Sequence, residues 1–118
     1  MNLKSDTIFL MTNFKKATSL SEIIEESQKN TVIVFKFSSE CNSSIRLEKE
    51  FEKSILEKKL NSPIYKVIVQ DQPALSKNIS EFFDVKHESP QILIVNKGKL
   101  TYTAHHNSVK IEDFVFTQ

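Results

Sequence analysis

The 118-residue chain contains one cysteine, one glycine, three prolines and no tryptophan. A single cysteine excludes an intrachain disulfide, and such sparse use of cysteine is typical of a reducing compartment such as the cytoplasm. No segment approaches the roughly 20 consecutive apolar residues of a membrane span. The formal net charge of +1 gives no indication of a nucleic-acid partner or of an anionic membrane surface. The sequence therefore predicts a cytoplasmic protein that binds neither nucleic acid nor membrane, and it leaves the oligomeric state open.

The length is sufficient for one domain with its own hydrophobic core, without disulfide or metal staples. We expect residues 1–10 to form a short N-terminal extension and residues 11–118 to form that single domain. No internal repeat, low-complexity tract or linker interrupts the sequence.

Hydrophobic periodicity predicts alternating strands and helices. The predicted strands are 14–18, 31–37, 64–69, 91–95 and 100–104. The predicted helices are 19–30, 43–60 and 75–83, with 111–116 as a helix or a strand. Gly98, the only glycine, permits the positive φ of a hairpin turn between the last two strands. Two parallel crossover units followed by a hairpin imply an α/β fold, with a mixed sheet of four to five strands and helices on both faces.

Two local patterns give more detailed expectations. Ser19 and Glu22 have the spacing of a capping box, in which each side chain accepts a hydrogen bond from the other residue's backbone N–H. Phe82 and Phe83 end a predicted helix, and we expect both rings to belong to the core rather than to a binding surface.

Cys41 lies at the junction between a predicted strand and the long helix 43–60. A helix N-terminus presents unpaired N–H groups and the positive end of the helix dipole, which stabilise a thiolate. The thiolate is the nucleophilic form of cysteine, so this position fits catalysis. Glu40 opposes a second negative charge, and we therefore expect a modest lowering of the thiol pKa. Taken on position alone, Cys41 also fits a buried structural thiol.

The element order, with a cysteine at a strand–helix junction and a proline just before a later strand, resembles the thioredoxin fold. More specifically, the chain resembles the monothiol bacilliredoxins, small thioredoxin-like proteins of the bacillithiol system. Three blocks carry the resemblance: Phe35–Ser38 with Cys41–Ser44, where the family has Lys-His-Ser and Cys-Pro-Ile-Ser; Val85–Gln91, which matches Val-(Lys/Arg)-His-Glu-Ser-Pro-Gln throughout; and His105 after the hairpin.

The chain departs from the family pattern close to the cysteine. Asn42 replaces the proline after it, Glu40 replaces a threonine before it, and Phe37 replaces a histidine. The most specific match is the block around Pro90, because Cys-x-x-Ser alone is a common pattern.

The resemblance implies a monothiol thiol–disulfide oxidoreductase with Cys41 as the catalytic nucleophile. Ser44 lies on the same side of the first helical turn, so its hydroxyl can donate to the Cys41 sulfur, whereas Ser43 is expected to be an ordinary helix-start serine. The residues expected to bind substrate are Asn42, His87, Ser89 and Pro90, with Pro90 in the cis form. The implied co-substrate is a low-molecular-weight thiol, bacillithiol, and the implied partners are S-thiolated proteins.

No bound cofactor and no metal site are expected. His105 and His106 are neighbours on a predicted strand, where successive side chains point to opposite faces, and one cysteine with scattered histidines does not make a zinc set. Two other functions remain open from the sequence. One is a non-catalytic thioredoxin-like module that binds extended peptides at Ser89 and Pro90, and the other is a redox sensor whose cysteine retains a thiol cap.

Overall fold

The computed structural model describes residues 14–57, 60–105 and 109. The elements, in chain order, are β1 Phe14–Lys16, α1 Leu20–Ser27, β2 Val32–Phe37, α2 Asn42–Leu56, β3 Ile64–Ile68, α3 Pro73–Phe83, β4 Gln91–Asn96 and β5 Lys99–His105. In this part of the chain, five strands form one sheet in the order β1-β3-β2-β4-β5. The predicted extension 1–10 and the predicted element 111–116 lie outside the described residues.

The sheet is mixed, as predicted. Strand β3 pairs in parallel with β1 on one side and with β2 on the other. Strand β4 runs antiparallel to both β2 and β5. The two parallel pairings are connected by helices, and the antiparallel pair β4–β5 is connected by a tight hairpin, which is the arrangement that the sequence indicated.

The central strand β2 is buried along its whole length because helices cover both faces of the sheet. Side chains alternate between the faces of a strand. Ile33, Phe35 and Phe37 pack with α2, whereas Val32 and Val34 pack with residues of α1 and α3. The expected α/β fold with helices on both faces is therefore confirmed.

The capping box at the start of α1 is only half formed. Ser19 Oγ accepts a hydrogen bond from the backbone N–H of Glu22 at 3.1 Å, as predicted. The Glu22 carboxylate, however, accepts from the backbone N–H of Thr18 at 2.9 Å and from its hydroxyl at 3.0 Å. The reciprocal bond to Ser19 was predicted wrongly, because the Glu22 carboxylate accepts from both donors of Thr18 instead.

Helix α2 is shorter than the predicted 43–60, since it ends at Leu56 and Glu57 is its C-cap. Leu60 is nevertheless buried in the core on the α2 face. Leu60 lies in the connection to β3, but it is apolar and follows the helix closely. The apolar pattern in the sequence therefore extends beyond the last helical residue.

Phe82 does not belong to the core, which corrects the expectation for the phenylalanine pair. Its exposed fraction is 54%, whereas Phe83 packs against the core on the face of α1 and α3. The two rings meet edge to face with centroids 4.9 Å apart. Consecutive helical residues are separated by about 100° around the axis, so only one of the two rings can face the sheet.

The hairpin between β4 and β5 has the predicted positive φ at Gly98, 74°, and a second one at Lys97, 50°. Positive φ at both central residues is the signature of a type I′ turn. The turn is tied to the end of α1, since the N–H of Lys97 donates to Ser27 O at 2.7 Å and that of Gly98 donates to Ser27 Oγ at 2.9 Å.

Candidate active site

Cys41 is the N-cap residue of α2, with φ −113° and ψ 117°. Its carbonyl accepts the first hydrogen bond of the helix from the N–H of Ile45 at 3.1 Å. The side chain is partly exposed. Cys41 is therefore not fully buried, and it lies at the N-terminus of the helix, where the first N–H groups have no intrahelical partner.

Neighbouring donors lower the pKa of the Cys41 thiol below its ordinary value. The largest cause is hydrogen bonding from the backbone N–H of Ser44, with smaller contributions from the Ser44 hydroxyl and from the N–H and hydroxyl of Ser43. Partial burial of the sulfur opposes them. The cysteine side chain forms no capping hydrogen bond of regular geometry, so these donors act chiefly on the charged form. The contributions from Ser43 are the smallest of these, and its expected part as an ordinary helix-start serine stays a prediction.

Ser44 is fully buried in the first turn of α2. Its hydroxyl oxygen accepts a hydrogen bond from the backbone N–H of Ser38 at 3.2 Å. Because that contact uses a lone pair, the hydroxyl hydrogen remains available to the Cys41 sulfur. The structure therefore brings together Cys41 and Ser44, as the sequence predicted, and adds the end of β2 as the support that orients the serine.

The segment between β2 and Cys41 is held by a residue that the sequence analysis missed, Gln70. Its Nε2 donates to Ser38 Oγ at 2.7 Å, and its Oε1 accepts from the N–H of Ser39 at 3.3 Å. Ser38 Oγ also accepts from the N–H of Glu40 at 3.3 Å. A signal was present, because parallel β2 and β3 end at the same edge of the sheet and Gln70 follows β3 closely.

The Ser89–Pro90 peptide bond is cis, as the resemblance implied. Pro90 directly precedes β4, whose first residue, Gln91, pairs with Lys36 of antiparallel β2. Pro90 therefore comes level with Phe37, at the end of β2 that leads to Cys41. Pro90 is buried and Ser89 is half-buried, while Asn42 is exposed at the first turn of α2.

The predicted substrate-binding residues thus lie at the same end of the sheet as the cysteine. Within the described ranges, no hydrogen bond joins Asn42, Ser89 or Pro90 to Cys41. Their role in binding a substrate remains a prediction.

Lys36 is a second residue whose environment the sequence analysis missed. It is fully buried, although it interrupts an otherwise apolar strand. Its Nζ donates to the carbonyl of Ser76 at 2.9 Å and to Ser80 Oγ at 2.5 Å, both on α3, and lies 3.3 Å from His87 Nδ1. Burial lowers the pKa of Lys36 to about 8. A lysine within a strand predicted to be covered on both faces was itself the available signal, since a buried ammonium requires acceptors.

His87, predicted to bind substrate, connects this cluster to the proline segment. Its Nδ1 lies 3.2 Å from Ser76 Oγ as well as close to Lys36. Burial lowers the pKa of His87 first, the Lys36 charge lowers it further, and Glu88 partly opposes both. The residue as a whole remains exposed. His87 therefore contacts a buried cation through Nδ1 although the residue is exposed.

Gln91 follows the segment that contains His87, Ser89 and Pro90. Its Nε2 donates to the carbonyl of Lys86 at 2.9 Å, which ties the two ends of the segment together. Its Oε1 is buried and has no hydrogen-bond partner. Gln91 lies directly opposite Lys36 in the β2–β4 pairing.

In the described ranges no group of three or more histidine, cysteine, aspartate or glutamate side chains is arranged to hold a metal ion. Among the helices of that same part of the chain, none has the length and apolar character needed to cross a membrane.

The fold and the cysteine position define a thioredoxin-fold protein. One similar solved structure, a proposed oxidoreductase with a thioredoxin fold, is 27% identical with a TM-score of 0.75, over 86% of this chain and 90% of that one. Reduced thioredoxin from Schistosoma mansoni is 16% identical with a TM-score of 0.69, over 90% of this chain and 98% of that one. Thioredoxin from Malassezia sympodialis is 14% identical with a TM-score of 0.69, over 90% of both chains.

A family model described as monothiol bacilliredoxin BrxC matches residues 12–114, which is most of the chain. The protein belongs to the monothiol bacilliredoxin family. Family and fold together assign it a thiol redox function, and the single cysteine makes it a monothiol protein.

Proposed function

We propose that the protein removes a low-molecular-weight thiol from protein mixed disulfides through Cys41. The Cys41 thiolate attacks the sulfur of the small thiol, so that a bond forms between these two sulfurs while the bond to the target protein breaks. The target sulfur leaves as a thiolate and takes a proton from solvent. A second molecule of the small thiol, as its thiolate, then attacks the Cys41 adduct, releasing a symmetric disulfide and restoring the Cys41 thiolate.

The observation that carries this proposal is the state of the Cys41 sulfur. It is partly exposed at the N-cap of α2, and donors from Ser44 and Ser43 lower its pKa. Both steps of the exchange consist of a thiolate attacking a disulfide sulfur, so one cysteine is sufficient. Because Ser44 stands where a dithiol protein would place a second cysteine, the adduct cannot be resolved within the chain.

We further propose roles for the residues around the thiol. Ser44 stabilises the thiolate, Ser89 and Pro90 offer backbone to the bound disulfide partner, and Asn42 and His87 line its approach. Bacillithiol is the proposed small thiol, and the proposed setting is the cytoplasm, where target proteins become S-thiolated under oxidative stress. Family membership supports this choice of thiol.

The proposal is tested by mixing the reduced protein with a bacillithiol-modified target and measuring intact mass. A gain of one bacillithiol on the wild-type chain, together with release of the reduced target, is the expected result. Cys41→Ala is the matched control, and it should gain nothing. An unmodified wild-type chain, or an equal gain in Cys41→Ala, would contradict the proposal.

A redox sensor that retains its thiol cap would give the same single adduct. Turnover with excess target and excess free bacillithiol separates the two functions, since an enzyme releases many equivalents of reduced target and a sensor releases one. We expect many equivalents.

A further inference from the structure

The Lys36 ammonium is buried without an acidic partner. In the described part of the chain its contacts are the Ser76 carbonyl, Ser80 Oγ and His87 Nδ1, and no carboxylate forms an ion pair with it. Burying an unpaired charge is costly unless hydrogen bonds compensate for it. An ammonium group has three N–H donors, so the three contacts account for all of them. Among the three residues contacted, His87 is the only exposed one.

The contact with Lys36 determines which nitrogen of His87 carries the proton. An ammonium group has donors and no acceptor. His87 Nδ1, at 3.3 Å from Nζ, must therefore present its lone pair to Lys36. In a neutral imidazole the proton then resides on Nε2. Ser76 Oγ, 3.2 Å from the same Nδ1, is compatible with this tautomer because a hydroxyl can donate or accept.

The Nε2 edge of His87 is available to a ligand. Within the described ranges, no residue forms a hydrogen bond with Nε2. His87 is exposed and lies two residues before Ser89, in the segment that Gln91 ties back through the Lys86 carbonyl. The segment that would bind the disulfide partner therefore carries one outward imidazole N–H beside it.

We propose that Lys36 is a positioning residue that holds His87 as the neutral Nε2–H tautomer, so that His87 offers one hydrogen-bond donor to an acceptor oxygen of the bound mixed disulfide. The acceptor is a carboxylate or carbonyl oxygen, carried by the small thiol or by the target protein. The choice of ligand depends on the proposed function, whereas the tautomer depends only on the contacts of Lys36, His87 and Ser76.

The tautomer is tested directly by long-range ¹H–¹⁵N NMR of the imidazole rings near pH 7.5. In the wild-type protein we expect His87 Nδ1 to be unprotonated and Nε2 to be protonated. In Lys36→Met we expect a mixture of tautomers and a titration midpoint closer to the ordinary histidine value. A protonated Nδ1 in the wild-type protein would overturn the proposal, and this measurement requires neither the variant nor any enzymatic activity.

The donor is tested by comparing His87→Gln with His87→Asn in turnover. The amide nitrogen of glutamine reaches the position of Nε2, whereas that of asparagine reaches only the position of Nδ1. We expect KM for the mixed disulfide to rise about tenfold in His87→Asn and much less in His87→Gln, with kcat little changed in both, as for loss of one hydrogen bond. Equal KM values in the wild type and in both variants would overturn the proposal.

The source of the acceptor oxygen is identified with the same target protein carrying different thiols. Cysteamine lacks any carboxylate or carbonyl, whereas bacillithiol and glutathione have both. If the acceptor belongs to the small thiol, the effect of His87→Asn disappears with cysteamine, and if it belongs to the target it persists; either result supports the donor role. A wild-type protein with the expected tautomer but without turnover would refute the proposed function and leave the Lys36–His87 assignment standing.

Discussion

The hydroxyl oxygen of Ser44, three residues after Cys41, accepts a hydrogen bond from the backbone N–H of Ser38 at 3.2 Å. This bond links the first turn of α2 to the end of β2, and it fixes the oxygen while leaving its hydrogen for the cysteine. The buried Ser44 hydroxyl thus links one of the donors that lower the pKa of Cys41 to the end of the central strand.

Ser44→Ala should raise the pKa of Cys41, because the thiolate loses a hydroxyl donor while keeping the backbone N–H groups. The rate of alkylation measured against pH reports this pKa. Ser44→Ala should also lower the free energy of unfolding by about 1–3 kcal/mol, since the buried N–H of Ser38 loses its acceptor. Ser54→Ala, in the same helix and half-buried, is the control. An alkylation profile identical to that of the wild type would refute the role of Ser44.

Asn42→Pro should stabilise the protein by about 0.5–1 kcal/mol. Proline is favoured at the first helical position, and the preceding residue must then be extended. Cys41 already has φ −113° and ψ 117°, so no backbone change is required. The gain arises from the reduced entropy of the unfolded chain, and denaturant unfolding measures it. Lys49→Pro, in the interior of the same helix, should cost about 3 kcal/mol or more. A destabilised Asn42→Pro would show that the Asn42 N–H or side chain has a role not seen in these contacts.

Stability should rise with pH through the titration of Lys36. Its pKa is lowered from 10.5 to about 8 in the folded state, so the unfolded chain binds more protons between these values and the free energy of unfolding increases across that window. Relative to Lys36→Met, the gain should reach about 2–3 kcal/mol by pH 10.5. Subtracting the unfolding curve of Lys36→Met from that of the wild type removes the titrations that the two proteins share. The comparison starts at pH 8, where His87, whose pKa is lowered, is already neutral.

A constant difference between wild type and Lys36→Met from pH 8 to 10.5 would mean that the ammonium keeps its ordinary pKa. Lys77→Met, on the exposed side of α3, is the matched control for removing a lysine from the chain.

Lys97→Asn should stabilise the hairpin by about 0.5–1 kcal/mol. Lys97 has φ 50°, where a long side chain is strained, and asparagine followed by glycine is the preferred pair for a type I′ turn. Thermal unfolding measures the gain, and Lys99→Asn at the exposed start of β5 controls for the lost charge. Equal melting temperatures in the wild type and Lys97→Asn would indicate that the turn tolerates lysine without strain.

Much of the architecture could be predicted because local patterns and packing agree. The apolar β2, the spacing of Leu47, Phe51 and Ile55 in α2, and the glycine of the hairpin each indicate the element that the structure contains. Errors arose where a residue's partner depends on tertiary structure. Phe82 matched an apolar pattern but lies on the outer face of α3.

In the candidate site, too, local contacts could be predicted from the sequence and contacts between distant residues could not. Cys41 and Ser44 are neighbours on one helical turn, so their contact could be predicted from spacing. Gln70 contacts Ser38 and Ser39 across more than 30 residues of sequence, and Lys36 meets His87 across 51. Neither contact has a periodic signature, because each depends on how strands and loops meet in space.

The pairing of Lys36 with Gln91 has one further implication, for insertions and deletions. Successive side chains of a strand point to opposite faces of the sheet. A shift of the β2–β4 register by one residue would therefore place Lys36 and Gln91 on opposite faces. A one-residue deletion between Val85 and Ser89 is therefore expected to leave a folded sheet with a misaligned binding segment. Length in this segment, rather than composition alone, is the property that variants must preserve.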